Sequence, residues 1–298
     1  MSQKISIRFF NDHEVRAAWD DAVGQWLFSV ADIVGVLTES ANSRKYWSVL
    51  KNRLKKAHPE LTTNCSQLKM TAADGKKYLT DCLNAKDILA LVEFLPGRNI
   101  PTFIKWFTYS DDTIDGKSRS KAYEILESGI LDSLIPGTVK CLQQIHAYLF
   151  GGLYDFAGQI RMKNISKAGF AFANSRYFDS ILPQIERMPE TDFNAIIDKY
   201  VEMNIAHPFM EGNGRATRIW LDLMLKRALK RCVDWSRVGK NAYLDAMRES
   251  VSDSAPLKKL LEPALTDKIH DREMFMKGID YSYYYESDSP ELVPDGKE

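Results

Sequence analysis

The sequence predicts a mainly helical protein: a helical bundle carrying one β-hairpin, preceded by a smaller α/β domain. Three observations predict it. Apolar residues recur at i, i+3 and i+4 through most of residues 139–265, the period of helices packed on one another. Strand-like runs are confined to residues 5–83 and to one place in the second half, 165–172. A polar stretch, Tyr109-Ser-Asp-Asp-Thr-Ile-Asp-Gly-Lys-Ser-Arg-Ser120, lies between and has the composition of a linker or exposed loop. A boundary there gives a first domain over 1–110, a second over 111–287, and an acidic tail over 288–298 that is expected to fray.

Taken in order, residues 5–10 and 15–19 read as strands, and 25–30 pairs back across Ala22-Val-Gly24 as a hairpin. Residues 30–37 and 44–56 have helical periodicity. Residues 68–72 and 77–83 form a second hairpin around Asp74-Gly75, a strong turn signal. Helices follow at 84–95 and 101–109, then at 139–154, 181–188, 193–206, 216–228, 241–251 and 255–265.

Composition excludes several classes. Hydrophobic residues make up 45% and charged residues 27% of 298, ordinary for a globular chain and unlike a disordered or collagenous one. No apolar run approaches the roughly 18 residues of a membrane span. The N-terminal MSQKISIRFF has no apolar core of a signal peptide, and four scattered cysteines show no CxxC pairing, so a cytoplasmic protein with reduced thiols is expected. Net charge is zero, so no whole-chain field advertises a nucleic-acid or membrane partner.

The chemistry concentrates in His207-Pro-Phe-Met-Glu-Gly-Asn-Gly-Arg-Ala-Thr-Arg218. Pro208 disfavours helical geometry at His207 and ends one helix there. Gly212 and Gly214 allow a sharp turn and close approach to a ligand. Helix re-entry at about 213–215 points free backbone N–H groups outward, an arrangement that binds phosphate. Arg215 and Arg218 work against the helix macrodipole unless a polyanion sits at that end. Glu211 offers a hard oxygen ligand for Mg²⁺, and His207 is a candidate general base. A buried histidine beside a glycine turn is the plain alternative, but these residue types together describe a nucleotidyl or phosphoryl transfer site.

This segment resembles the Fic signature, HPFx(D/E)GNGRxxR, at every fixed position. Gln144-Ile-His146, Tyr154-Asp-Phe-Ala-Gly-Gln-Ile-Arg161 and Ile165-Ser-Lys-Ala-Gly-Phe-Ala-Phe172 resemble the helix, arginine turn and hairpin flap before it, and Asp234-Trp235 and Tyr243-Leu-Asp-Ala-Met247 the distal helices. The resemblance covers about 115–287. It implies an all-helical bundle that transfers AMP from ATP to a protein hydroxyl, releasing pyrophosphate. By this resemblance His207 deprotonates a Ser, Thr or Tyr hydroxyl of a target or of the chain itself. Glu211 holds Mg²⁺ on the α- and β-phosphates, and the N–H groups of Gly212, Asn213 and Gly214 cradle phosphate oxygens. Arg215 supports the phosphates and Arg218 reaches the γ-phosphate. The flap, Ser166, Lys167, Ala168, Gly169, Phe170, Ala171 and Phe172, clamps the target segment by strand addition. Phe209 is read as a core anchor and His146 as a satisfied core histidine. Gly212 and Arg215 speak against the kinase-like toxin branch; a phosphocholine-transferring branch stays open.

Ser282-Tyr-Tyr-Tyr-Glu286 has two readings. Its rings suit a packing helix. Ser282 and Glu286, at i and i+4, also share a face and resemble the inhibitory (S/T)xxxE(G/N) helix of Fic proteins, whose glutamate pairs with the second signature arginine, here Arg218. The preceding Met276-Lys-Gly-Ile-Asp280 resembles the subclass with this helix at the C-terminus. Ser287 departs from the pattern's Gly or Asn.

In the first domain, residues 44–56 carry six basic side chains and no acid. On a helix, Tyr46, Val49, Leu50 and Leu54 would face a core and leave Lys51, Arg53, Lys55 and Lys56 exposed, either as a solvated face or as a DNA contact. Residues 5–107 resemble the N-terminal domain of phage antirepressors and Bro-type proteins. The leading expectation is an autoinhibited protein adenylyltransferase; the alternatives are a DNA-binding regulator whose Fic domain senses nucleotide, and an adaptor with a dead site. Target protein and oligomeric state are left open.

Overall fold

The structure, a computed structural model, describes residues 4–72, 74–167, 169–287 and 293–294. It divides into two units, Met1–Thr113 and Ile114–Glu298. The first is organised by five antiparallel strands: β1 (Ile5–Phe10), β2 (His13–Asp20), β3 (Gln25–Ser29), β4 (Ser66–Thr71) and β5 (Lys77–Asn84). Their order is β1-β2-β3-β5-β4, so the helices Val30–Thr38, Ser43–Ala57 and Pro59–Thr63 are an excursion between the adjacent strands β3 and β5. Ser29 ends β3 and its Oγ accepts from Asp32 N, which starts the first helix at once. Val15, Ile33, Leu83, Ile88 and Phe103 form the buried centre of this unit.

Two expectations change here. The helix Ser43–Ala57 buries Trp47, Leu50 and Leu54, while Val49 is 57% exposed and Tyr46 only partly covered. The indole decides the face: Trp47 Nε1 donates to Asp81 Oδ2 at 2.7 Å on β5. Lys51 is not a free surface cation, because its Nζ pairs with the same Asp81 oxygen at 2.7 Å. Arg53, Lys55 and Lys56 remain exposed.

The second unit is helical. Val139–Phe150, Phe193–Ala206 and Asn213–Leu229 pack around a common core that includes Phe150, Tyr200, Phe209, Trp220 and Tyr285. Thr138 caps the first of these helices and Asp192 the second, each accepting an N–H three residues on at 3.0 Å. The polar stretch expected as a loop is half helix: Ile114–Glu127 begins inside it. Its buried face is Gly116, Ser118, Ala122 and Ile125, mostly small or polar, so apolar periodicity is silent there.

The flap is a hairpin of β6 (Ile165–Lys167) and β7 (Phe170–Ala171). Its expected turn residue Ala168 lies outside the described residues, and so does most of the acidic tail. Val293–Pro294 within that tail pairs antiparallel with Ser166 and Ile165, adding a third strand beside β6. Among the described residues, no helix is long and apolar enough to cross a membrane.

Candidate active site

The loop 207–212 joins Phe193–Ala206 to Asn213–Leu229. His207 caps the first helix with φ 50°, a left-handed conformation unusual for a side chain of this size. Gly212 stands before the second with φ 79°, and a Cβ there would lie 2.4 Å from the Phe150 ring, so this turn requires glycine. Asn213 closes the loop from within: its amide accepts from Phe209 N and donates to Phe209 O, both at 2.8 Å. Phe209 is fully buried and stacks on His146, ring centroids 3.8 Å apart. His146 accepts from Gly158 N at Nδ1, which places its proton on Nε2, donated to Glu211 O at 2.8 Å. Burial holds this imidazole down at about 4, so it stays a neutral brace.

Arg161 is the second brace. Its guanidinium donates to the carbonyls of His207, Lys163, Ala173 and Ala206, and its own N–H donates to Pro208 O. One buried side chain thus ties both roots of the flap to the start of the loop.

His207 Nδ1 lies 3.1 Å from Asn204 O. A carbonyl only accepts, so Nδ1 carries the proton and Nε2 keeps its lone pair. Desolvation, with Lys167 and Arg161 nearby, lowers the imidazole to about 3, against smaller opposing effects of the Asn204 carbonyl and Glu286. Phe172 of the flap stacks over it.

A cavity of about 380 Å³ opens in front of this loop. Its walls include His207, Glu211, Gly214, Arg218, Phe172 and Glu286. No side chain caps the helix Asn213–Leu229 at Gly212, so its first N–H groups are presented uncapped. Such a cavity is of ligand size, with a few convergent polar groups.

Arg218 is buried and committed to the C-terminal helix, Arg272–Glu286. It donates to Ser282 Oγ at 2.7 Å, Ser282 O at 2.8 Å and Glu286 Oε1 at 2.6 Å. Glu286 Oε1 also lies 2.1 Å from where a Cβ on Gly214 would be, so a side chain at that position would collide with this carboxylate. Burial would raise its pKa, but Arg218, Lys167 and Arg215 outweigh that and hold it at about 2. Lys167 Nζ on the flap is 3.6 Å from the other oxygen, Oε2. Tyr285 donates to Trp235 O and Val238 O and anchors the helix.

Arg215 is placed differently. It is 4% exposed, off the cavity wall, and pairs with Asp115 and, at 2.9 Å, with Glu211 Oε1. Gly212 N donates to the same Glu211 oxygen at 2.9 Å. Among the described residues no cluster of three or more His, Cys, Asp or Glu is arranged to hold a metal ion. A lone carboxylate at a cavity lip nevertheless suits Mg²⁺, which keeps waters and binds through one or two carboxylates plus phosphates. Both of Glu211's bonds fall on Oε1, which leaves Oε2 for such an ion.

The structure therefore brings His207, Glu211, Gly212, Asn213, Gly214, Arg218 and Glu286 to one cavity with flap residues Lys167, Phe170 and Phe172. The sequence reading did not find Asp115 or the Lys167–Glu286 contact, since neither belongs to a recognisable motif.

The chain is similar to several known proteins. The Fic/DOC family pattern matches residues 136–225. Protein adenylyltransferase VbhT of Bartonella schoenbuchensis is 32% identical over 133 residues, 40% of this chain and 27% of that protein, so the chain spans about a quarter of that relative's length. Probable protein adenylyltransferase y4lH of Sinorhizobium fredii is 30% identical over 151 residues, 46% of this chain and 75% of that protein. Among solved structures, BepC of Bartonella tribocorum with bound AMPPNP is similar at 21% identity and TM-score 0.43, covering 51% of this chain and 84% of that one. With the signature loop, its bracing and a relative matched over three quarters of its length, the chain belongs to the Fic/DOC family.

Proposed function

We propose that this chain is a protein adenylyltransferase held inactive by its own C-terminal helix. One observation carries the reading: Glu286 lies on Arg218 at the N-terminal end of the signature helix, in the same cavity as an unprotonated His207 Nε2. The relatives named adenylyltransferase support ATP as the co-substrate.

In this reading His207 Nε2 takes the proton of a Ser, Thr or Tyr hydroxyl, whose oxygen attacks the α-phosphorus. The bond to the bridging oxygen breaks and pyrophosphate leaves. The Gly212–Gly214 backbone receives phosphate oxygens, and Arg218 binds the γ-phosphate once Glu286 leaves. Mg²⁺ held by Glu211 would add charge neutralisation on the phosphates. The protein's contribution is positioning and fixed positive charge aimed where negative charge develops. The flap offers main-chain pairing to an extended target segment.

Labelled ATP incubated with candidate targets and with the chain alone tests this. We expect His207→Ala to abolish transfer while nucleotide binding persists, because the base acts on the acceptor. Transfer at the wild-type rate in that variant removes His207 from the mechanism.

A nucleic-acid contact by the Bro-like first unit would rest on Arg53, Lys55 and Lys56, since Lys51 is occupied by Asp81. Retardation of duplex DNA by the His207→Ala protein, weakened by neutralising those three residues, is its test.

A further inference from the structure

Arg215 sits among groups that leave little room for a phosphate. Its NH1 pairs with Asp115 Oδ1 and its NH2 with Glu211 Oε1. Its faces are covered by the Phe150 and Tyr283 rings, 5.0 and 5.4 Å from the guanidinium carbon. Its Nε is buried with no partner among the described residues. Directly before it in the helix, Gly214 lines the cavity, and three residues on so does Arg218; Arg215 itself does not. What this guanidinium reaches at the cavity is Glu211, whose side chain is 34% exposed there.

Asp115 stands behind it, in the first turn of the helix Ile114–Glu127. That helix is fixed to the C-terminal helix by three further contacts, one of them the ion pair of Arg272 with Glu127. Tyr283 donates to Ser118 Oγ at 2.9 Å, and Tyr123 donates to Asp280 Oδ1. Asp115, Arg215 and Glu211 therefore form a chain of ion pairs from a helix outside the signature to the lip of the cavity.

We propose that Asp115 is a positioning residue: by holding Arg215 it fixes the Glu211 carboxylate in the orientation that receives a divalent cation carried by a nucleotide. Without it, the guanidinium loses the partner on its far side, and Glu211 is oriented by a less fixed Arg215 beside Gly212 N. The carboxylate then samples several rotamers, and ion binding must order them again. Partners behind a metal ligand act in this way on metal affinity. The inference rests on the reading of Glu211 as the Mg²⁺ ligand and goes beyond it by naming what aims that ligand.

The test is calorimetric titration of ADP, with and without MgCl₂, into wild type, Asp115→Asn, Asp115→Glu and Glu211→Ala. ADP lacks the γ-phosphate and so does not compete with Glu286 for Arg218. We expect Mg²⁺ to tighten ADP binding in the wild type, and this gain to fall about tenfold in Asp115→Asn. Metal-free ADP affinity should stay unchanged in that variant, and Asp115→Glu should recover part of the gain. Thermal unfolding of Asp115→Asn near the wild-type temperature shows that the fold is kept, as expected for a side chain 55% exposed. A full Mg²⁺ gain in Asp115→Asn overturns this inference alone. An equal loss of affinity with and without Mg²⁺ also overturns it, since that is general damage to the site. A wild type with no Mg²⁺ gain, or a Glu211→Ala variant that keeps it, overturns the metal reading and this inference together.

Discussion

The ring of Phe172 lies on the imidazole of His207, centroids 3.8 Å apart and planes 15° apart. A flap residue therefore covers the base on one face while Asn204 O fixes its tautomer from below. The stacking contributes to the desolvation that keeps the imidazole uncharged.

Phe172→Ala should therefore move a pH profile. A base works unprotonated, and His207 at about 3 is competent across the neutral range. With Phe172 present, transfer should show no histidine limb near 6.5. Removing the ring should raise the imidazole towards its ordinary value and bring an acid limb into pH 5–7. Rate against pH in a Glu286→Gly background reads this out; identical profiles would mean that the ring does not set the base's environment.

The latch itself should respond to mutation in a graded order. Glu286→Gly removes a charged pair from buried Arg218 and should raise transfer by roughly 30- to 150-fold, corresponding to about 2–3 kcal/mol. Ser282→Ala should give a smaller gain, since the Ser282 carbonyl still accepts from Arg218. Adding Arg218→Ala to Glu286→Gly should cancel the gain. Labelling rates at fixed ATP settle the order, and a Glu286→Gly protein no faster than wild type would leave the helix a packing element only.

Acid should not open this latch under ordinary conditions. Glu286 is depressed from 4.5 to about 2, so its stabilising contribution is complete above 4.5 and is lost as pH falls through 2. His207 acts in the same direction: between 6.5 and 3 the unfolded chain binds a proton that the folded site refuses, so stability declines as pH falls. Wild-type labelling at pH 5.5 should be no higher than at pH 7.5. Activation on mild acidification would show that another titrating contact holds the helix.

Asn213→Ala should cost stability as well as activity. Phe209 N and O would both lose their partner while staying buried, at about 2–4 kcal/mol. Thermal unfolding should fall by roughly 5–15 °C in a unit of this size. A fall of under 2 °C would mean that water replaces the amide without loss.

The helix Phe193–Ala206 and the turn at Gly212 were legible in the sequence, because apolar periodicity, Pro208 and the glycines act locally. The helix Ile114–Glu127 was not, because it buries Gly116, Ser118 and Ala122 and carries no apolar stripe. The face of Ser43–Ala57 was misplaced only in part, at Tyr46, Val49 and Lys51, because long-range bonds of Trp47 and Lys51 to Asp81 help to set it. Within the site, the signature announced which residue types matter. It did not announce that Arg215 faces away from the cavity towards Asp115, since that depends on an element 100 residues distant in the chain.

Arg161 separates what must stay constant in this site from what is free to vary. Its hydrogen bonds hold the carbonyls of Lys163, Ala173, Ala206 and His207, so the flap's two roots and the base share one rigid footing. The strands beyond that footing are short, and Phe170 and Ala171 are exposed. Under the proposed strand pairing, substitutions at the tip alter which polypeptide is accepted without displacing the imidazole. On that reading, a lineage of such proteins changes clients by editing a few exposed positions, while a change at Arg161 disturbs the flap and the signature loop at once.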